Sequence, residues 1–292
     1  MYGATIGKLG LLNITTTTNQ ACCVIDESIC FNNKFIFYWF ISNRNHIINM
    51  SYGGGQPNIS QDLIRNLKLQ CPSIEEQTAI ADYLDRKTSE IDDLIAQKEE
   101  LLKLYEEEKT AIINQAVTKG INPDVKLKDS GIEWLGEIPE HWKVKKLKYV
   151  AYFQRGFDLS STSFIEGNFP VYGSNGIIGY HNEMTTHGPS ITIGRSGSVG
   201  EVNFISEDYW AHNTSLFLLN NYNNNVNFLF HLLKSIDLKS QSSGTAVGTL
   251  NRNNIHQLAI GLPQKSEQTA IVSHIEKETT RINTKIKKQK SS

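Results

Sequence analysis

The pentapeptide Glu76-Gln77-Thr78-Ala79-Ile80 is spelled again, 191 positions later, as Glu267-Gln268-Thr269-Ala270-Ile271. Setting residues 72–95 against 263–286 extends the match without a gap. Pro72 meets Pro263, Thr88 meets Thr279, Ile91 meets Ile282 and Ile95 meets Ile286, giving nine identities in 24 positions. That is too many for chance in segments that are not low-complexity. Weaker echoes run upstream: YGATIGKLGLLN (2–13) against GRSGSVGEVNFI (194–205), TNQACCVI (18–25) against HNTSLFLL (212–219), and GGGQPNISQDLIRNLKLQCP (53–72) against TAVGTLNRNNIHQLAIGLP (245–263). A period this long signals duplicated domains, not a stacked solenoid. Each copy reads as an irregular, strand-rich body followed by a long helix.

Residues 75–117 hold neither Pro nor Gly, and apolar side chains recur at Ile80, Leu84, Ile91, Ile95, Leu102, Tyr105 and Ile112. Those steps draw a seam close to the heptad period. Pro72-Ser73 supplies a start signal and Gly120 a stop. A helix of about 43 residues would run about 65 Å. It is too acidic and too narrowly seamed to sit at the centre of a globule, so it needs a partner. Lys98 interrupts the seam. The second copy repeats the seam at Ile271, Ile275, Ile282 and Ile286, within 267–289, and ends in a basic KIKKQK tail. Each helix is the other's expected partner, through Leu84, Ile91, Ile95 and Leu102 on the first and Ile275, Ile282 and Ile286 on the second. The competing arrangement packs each helix on its own body.

The 292 residues suffice for about two domains. The net charge of -1 hides an uneven distribution. Residues 75–109 carry 12 acids and 5 bases; the whole chain carries 30 and 29, so the remainder holds 18 acids against 24 bases, a net of +6. A basic remainder suits a phosphate backbone. No apolar run approaches the length of a membrane span, and the N-terminal residues lack the pattern of a signal peptide. The expected localisation is cytoplasmic, with no membrane partner. Cys22, Cys23, Cys30 and Cys71 form no C-x-x-C pair, so reduced thiols are expected and not a zinc site.

Catalytic motifs are missing. GATIGKL falls one residue short of a P-loop, and Leu9 replaces its hydroxyl residue. There is no H-E-x-x-H, no G-x-S-x-G and no acidic cluster with nuclease spacing. The region 120–265 instead mixes short apolar runs with Gly, Ser, Asn and aromatics. SLFLL reads as a strand and VNFLFHLLKSID (226–237) as a helix. Its loops offer Arg155, Tyr172, Ser174, Asn175, Arg195, Ser196, Ser198, Asn213, Asn251, Arg252 and Asn253. Arg can read guanine and Asn adenine through paired hydrogen bonds, and glycine lets backbone approach phosphate. Taken singly, each is an ordinary turn residue; the signal lies in the ensemble. In the first copy Lys8, Asn19, Gln56 and Asn58 occupy matching positions.

SGIEWLGEIPEHWKVKKLKYVA (130–151), QRGFDLS, FPVYGSNGIIGYHNE, SITIGRSGSVGEVNFI and the two E-Q-T-A-I helices together resemble the specificity subunits of type I restriction-modification systems, over essentially the whole chain. The resemblance implies an α+β fold: duplicated mixed α/β target-recognition domains joined by long helices that pair as an antiparallel coiled coil. Each domain would read one half of a split double-stranded DNA site, and helix length would set the gap between halves. The subunit would do no chemistry and bind no cofactor. Modification (methyltransferase) subunits would carry S-adenosylmethionine, and restriction (translocase/endonuclease) subunits would use ATP and Mg. The expected layout is a partial first recognition domain at 1–73, a spacer helix at 74–119, a complete second domain at 120–265 and a C-terminal helix at 266–292. The first copy lacks a counterpart of residues 134–193, which reads as an N-terminal truncation and points to self-association through that half. The alternative is a structural or regulatory subunit that holds modification subunits by its helices without full site recognition.

Overall fold

A computed structural model describes residues 6–51, 58–242 and 248–291. The chain divides into two compact units, residues 1–100 and 101–292. The first holds α1 (Asn33–Ser42), α2 (Arg44–Asn49), α3 (Gln61–Arg65) and the head of α4 (Ile74–Lys119). The second holds the tail of α4, then β1 (Leu127–Asp129), β2 (Glu137–Pro139), β3 (Lys143–Lys146), β4 (Tyr152–Arg155), β5 (Phe169–Gly173), β6 (Gly176–His181), β7 (Ser190–Gly194), β8 (Val202–Ile205), β9 (Trp210–Ala211), β10 (Ser215–Asn220), α5 (Val226–Lys234), α6 (Arg252–Gln257), β11 (Ala259–Leu262) and α7 (Lys265–Ser291).

The second unit is built on an antiparallel sheet in the order β4-β10-β7-β8. Strand alternation makes β10 a divider between two cores. Leu216 and Leu218 join Phe153, Ile191 and Ile193 and the α5 residues Phe228, Leu229, Leu232 and Leu233 in the large core. Phe217, one step out of phase, joins Ile205, Tyr209 and Ala211 in a smaller one. A second sheet, β6-β5-β9, carries the parallel pair β5–β9. The linker after α4 forms the β1–β2 hairpin, and β3 then pairs with β11. Between them Trp142 is 1% exposed, and its indole N–H donates to Glu267 Oε1 at 3.0 Å. His141 Nε2 lies 2.8 Å from the other carboxylate oxygen. Glu267, in the first turn of α7, thus fastens the linker to the helix.

α4 is a single helix of 46 residues, about 69 Å at 1.5 Å per residue. Ser73 Oγ accepts from Glu76 N at its start, and Gly120, at a φ of 75°, ends it. Its tail pairs antiparallel with α7. Glu108 faces Arg281 at 3.6 Å, Lys109 Nζ donates to Asn283 Oδ1 at 3.4 Å, and Lys285 lies over the Tyr105 ring. Ile271, Ile275, Ile282 and Ile286 are all buried along α7. Ile113, Ala116 and Val117 of α4 join the same core as Ile271 and Ile275, and Leu102 is half-buried. In the head of α4 the seam is differently placed. Leu84 is half-buried, but Ile91 is 56% and Ile95 50% exposed. The partners of α7 named above all lie at or beyond Tyr105, so Ile91 and Ile95 do not take the paired position foreseen for them.

The repeat is visible atom by atom. Gln77 and Gln268 are each 1% exposed. Gln268 Oε1 accepts from Asn225 N at 2.8 Å, and its amide donates to Pro263 O and Asn224 Oδ1. Gln77 Oε1 accepts from Asn32 N at 2.9 Å, and its amide donates to Pro72 O. Asn32 and Asn225 are in turn the N-caps of α1 and α5. The repeated Gln therefore ties the start of a long helix to the capped start of an upstream one. Likewise Ser60 caps α3 and Asn251 caps α6, again 191 positions apart.

The two bodies nonetheless differ. Among the described residues the first unit holds no strand; Ser28 and Phe31 form an isolated bridge, and Asn58 is a further bridge residue. The strand-rich body expected there is not found among the described residues. Residues 10–13 and 21–25 echo β8 and β10, and in the second unit β7 stands between those two strands. Among the described residues of the first unit no strand stands beside either echo. Leu9, Leu11, Leu12, Ile14, Val24 and Ile25 are exposed accordingly. The first unit's core is small: Phe35, Ile36 and Ala81, with Phe31, Phe40, Leu69 and Ile80 packed against them.

Candidate nucleic-acid interface

Several loops of the second unit meet around the Gly194 end of β7. The first contact is a close approach of backbone. A Cβ on Gly194 would overlap the carbonyl of Ser198 and crowd that of Ser174, so only glycine lets the 174 loop and the 195–200 turn share this space. Gly156 does the same for the 155–158 and 211–212 segments, where a Cβ would overlap the His212 carbonyl. Backbone bonds complete the cluster. Arg195 N and Ser196 N both donate to Thr214 O, and Leu250 N donates to Arg195 O at 2.9 Å. This last bond sets Asn251 and Arg252 beside the turn.

The arrangement gathers Arg155, Ser174, Arg195, Ser196, Ser198, Asn213, Asn251 and Arg252 from separate loops. Asn175 and Asn253, adjoining members of those loops, are exposed. Arg195 is half-buried and Arg252 exposed, and among the described residues neither guanidinium has a partner. Arg155 is held: its Nη2 lies 2.8 Å from Asp158 Oδ1, and Asn213 donates to the same oxygen. Two residues serve the fold more than the surface. Tyr172 sets its ring edge-on to Tyr209 with centroids 5.5 Å apart, and burial raises its hydroxyl pKa. Asn251 spends its carboxamide oxygen on Asn253 N as the α6 cap. In the first unit Lys8, Asn19 and Asn58 are exposed. Gln56 lies outside the described residues.

Sequence reading passed over the residues that hold these loops. Asp158 clamps Arg155 and Asn213. His212 bridges Thr214 Oγ1 at 2.8 Å and Leu159 O at 3.1 Å. His256, 5% exposed, accepts from Phe153 N at 3.0 Å and so fixes α6 against β4. No local spacing announces such long-range bonds, although the Asn-x-Asn pattern at 251–253 is a readable cap. Burial holds the His256 pKa below its ordinary 6.5, helped by the nearby Arg252 and Lys148. A folded value below the unfolded one gives stability that is present above about pH 6.5 and lost as pH falls through that value toward the folded one. Buried His231 shifts the same way. The urea midpoint should therefore drop between about pH 7.5 and 5.5, and His256→Leu should flatten part of that slope. An unchanged slope would contradict the role given to His256.

A mixed α and β body of converging loops, borne on a long helix with an antiparallel partner, defines a scaffold class that known proteins share. Residues 1–104 and 139–290 match the family described as Type I restriction modification DNA specificity domain, and the chain belongs to that family. It is 28% identical over 161 residues to the type I restriction enzyme MjaVIII specificity subunit of Methanocaldococcus jannaschii, covering 55% of this chain and 35% of that protein. It is 24% identical over 308 residues to the EcoprrI specificity subunit of Escherichia coli, covering 99% of this chain and 73% of that one. The chain thus spans about a third of the former relative and three quarters of the latter. In fold it resembles a chain from a structure concerned with complex assembly and conformational transition of the type I R-M system, with a TM-score of 0.68 at 16% identity, covering 88% of this chain and 66% of that one. It also resembles the HsdS subunit of Thermoanaerobacter tengcongensis, with a TM-score of 0.59 at 17% identity, covering 88% and 64%. Among the described residues no helix is long and apolar enough to cross a membrane.

Proposed function

We propose that this chain is a DNA-specificity subunit whose second unit reads one half of a split double-stranded site. The observation that carries the reading is the convergence of the 155, 174, 195, 213 and 251 loops, with two guanidinium groups among them that have no partner among the described residues. Arg195 and Arg252 are the base readers, Ser174, Asn175, Ser196, Ser198 and Asn253 add polar contacts, and Arg155 and Asn213 act as a pre-set pair. The antiparallel α4–α7 pair is the spacer and the surface for modification subunits. Methyl transfer from S-adenosylmethionine and ATP- and Mg-dependent translocation and cutting belong to the modification and restriction subunits, not to this chain.

Arg195→Ala and Arg252→Ala should each weaken specific binding by about 1–3 kcal/mol and relax preference at one base pair. Fluorescence anisotropy on the selected site and on single-base variants checks this. If both variants keep affinity and preference, these loops do not face the duplex. A second reading, a scaffold that holds modification subunits without reading DNA, draws on the exposed apolar residues of the first unit, whose described residues form no strand. Complex formation with no sequence preference in a footprint would favour it.

A further inference from the structure

Two chain segments that meet at α6 carry bases without acids. Residues 141–157 contain five Lys or Arg and residues 238–266 contain three, and neither stretch contains an Asp or Glu, although the whole chain holds 30 acids to 29 bases. The fold ties the two together. Leu147 N donates to the carbonyl of Leu258, which caps α6, at 2.8 Å, and the Tyr152 ring lies on that of His256 with centroids 4.6 Å apart. Arg252 opens α6 inside the candidate interface. At the last residue of α6, Gln257 Oε1 accepts from Lys146 Nζ at 2.7 Å. Lys148, in the 3-10 turn Leu147–Tyr149, holds its ammonium 4.8 Å over the exposed Tyr149 ring. Arg252 and Lys148 flank one histidine: burial lowers the His256 pKa, and these two cations lower it further. Neither lysine meets a carboxylate among the described residues.

Edge protection explains part of this lysine content. Among the described residues β3 has β11 as its one strand neighbour, all four of its residues are exposed, and lysines keep such an edge from pairing with another chain. That accounts for Lys143 and Lys145. It does not account for Lys148, which lies beyond the strand, or for Lys146, which is turned onto α6.

We infer that Lys146 and Lys148 form a phosphate site, on which the backbone of the bound duplex rests where it leaves the base pair met by Arg252. The inference rests on the DNA reading proposed above and adds to it a contact that carries no base information. The six residues of α6 span about 9 Å, and long side chains extend that reach at both ends. The span is comparable with the roughly 12 Å width of the major groove. A duplex whose base edge meets Arg252 therefore sets a phosphate strand over the other end of the helix. The two ammonium groups suit that strand, because one is steadied by an amide and the other by a ring, and neither has a carboxylate to give up.

Fluorescence anisotropy of the intact chain on the selected duplex and on an unrelated one, over about 50–200 mM salt, tests it. Lys146→Gln and Lys148→Gln should each reduce the slope of log K against log salt by about 0.9 and weaken binding to both duplexes alike, about fivefold near 0.1 M. The enriched motif should stay the same, and Lys148→Arg should restore the slope. Lys234→Gln, which removes one charge from α5, should leave the slope unchanged. Urea midpoints verify that the variants stay folded. A double variant, Lys146→Gln with Lys148→Gln, that keeps the original slope would overturn the inference. So would an equal loss in Lys234→Gln, or a motif altered by either lysine substitution. The two proposals fail separately. An enriched motif with a slope indifferent to both lysines removes the phosphate site alone. Binding with no enriched motif contradicts base reading, and the slope on the unrelated duplex still decides the phosphate site.

Discussion

Gln268→Ala is expected to destabilise the second unit by about 3–5 kcal/mol, through loss of bonds to buried polar groups. The side chain is 1% exposed and joins three elements. It accepts from the α5 cap at Asn225 N, donates to Pro263 O before α7, and donates to Asn224 Oδ1. Truncation leaves those partners without their bond and opens a space too enclosed to hydrate them well. Gln268→Glu should rescue little, because a carboxylate can replace the acceptor but not the two amide bonds. Gln77→Ala should cost less, about 1–2 kcal/mol, since its neighbours Cys71 and Pro72 are more accessible than Leu262 and Pro263 beside Gln268. Urea unfolding with an unchanged slope measures all three. A neutral Gln268→Ala would mean that the repeated pentapeptide is not the joint described above.

Ile282→Asp should be comparably damaging, about 4 kcal/mol, whereas Ile91→Asp in the isolated chain should stay within about 0.5 kcal/mol. The two residues are repeat twins, yet Ile282 is 0% and Ile91 56% exposed. An aspartate at 282 would put a charge where a fully buried isoleucine sits between α7 and the tail of α4. At 91 it meets water. Equal effects would contradict the pairing of α7 with the tail of α4. A large loss at 91 seen only in complex with modification subunits would show that the head of α4 gains its cover there.

The helices were readable because their information is local. A Pro- and Gly-free run with a near-heptad seam specifies α4, and Asn225 before a 3.6-residue pattern specifies α5. The repeat was equally plain, because identical pentapeptides make identical joints at Gln77 and Gln268. Strands in the first unit were foreseen and are not found among its described residues. Strand formation at 10–13 and 21–25 depends on neighbours distant in sequence, and no property of those segments reports how they are paired. The loop residues were found by composition alone, so that reading could not separate Arg195, whose guanidinium has no partner among the described residues, from Tyr172, packed on Tyr209, or Asn251, spent on a helix cap. Nor could it anticipate Asp158 or His256, whose partners are set by the tertiary fold.

The most direct test of the account is selection of the intact chain against random double-stranded DNA, without partner subunits. One short contiguous motif should be enriched and protected in a footprint, and the enrichment should vanish when Arg195 and Arg252 are both alanine. Binding that follows salt alone, with no enriched motif, or a motif that survives both substitutions, would contradict the assignment of DNA reading to the converging loops of the second unit.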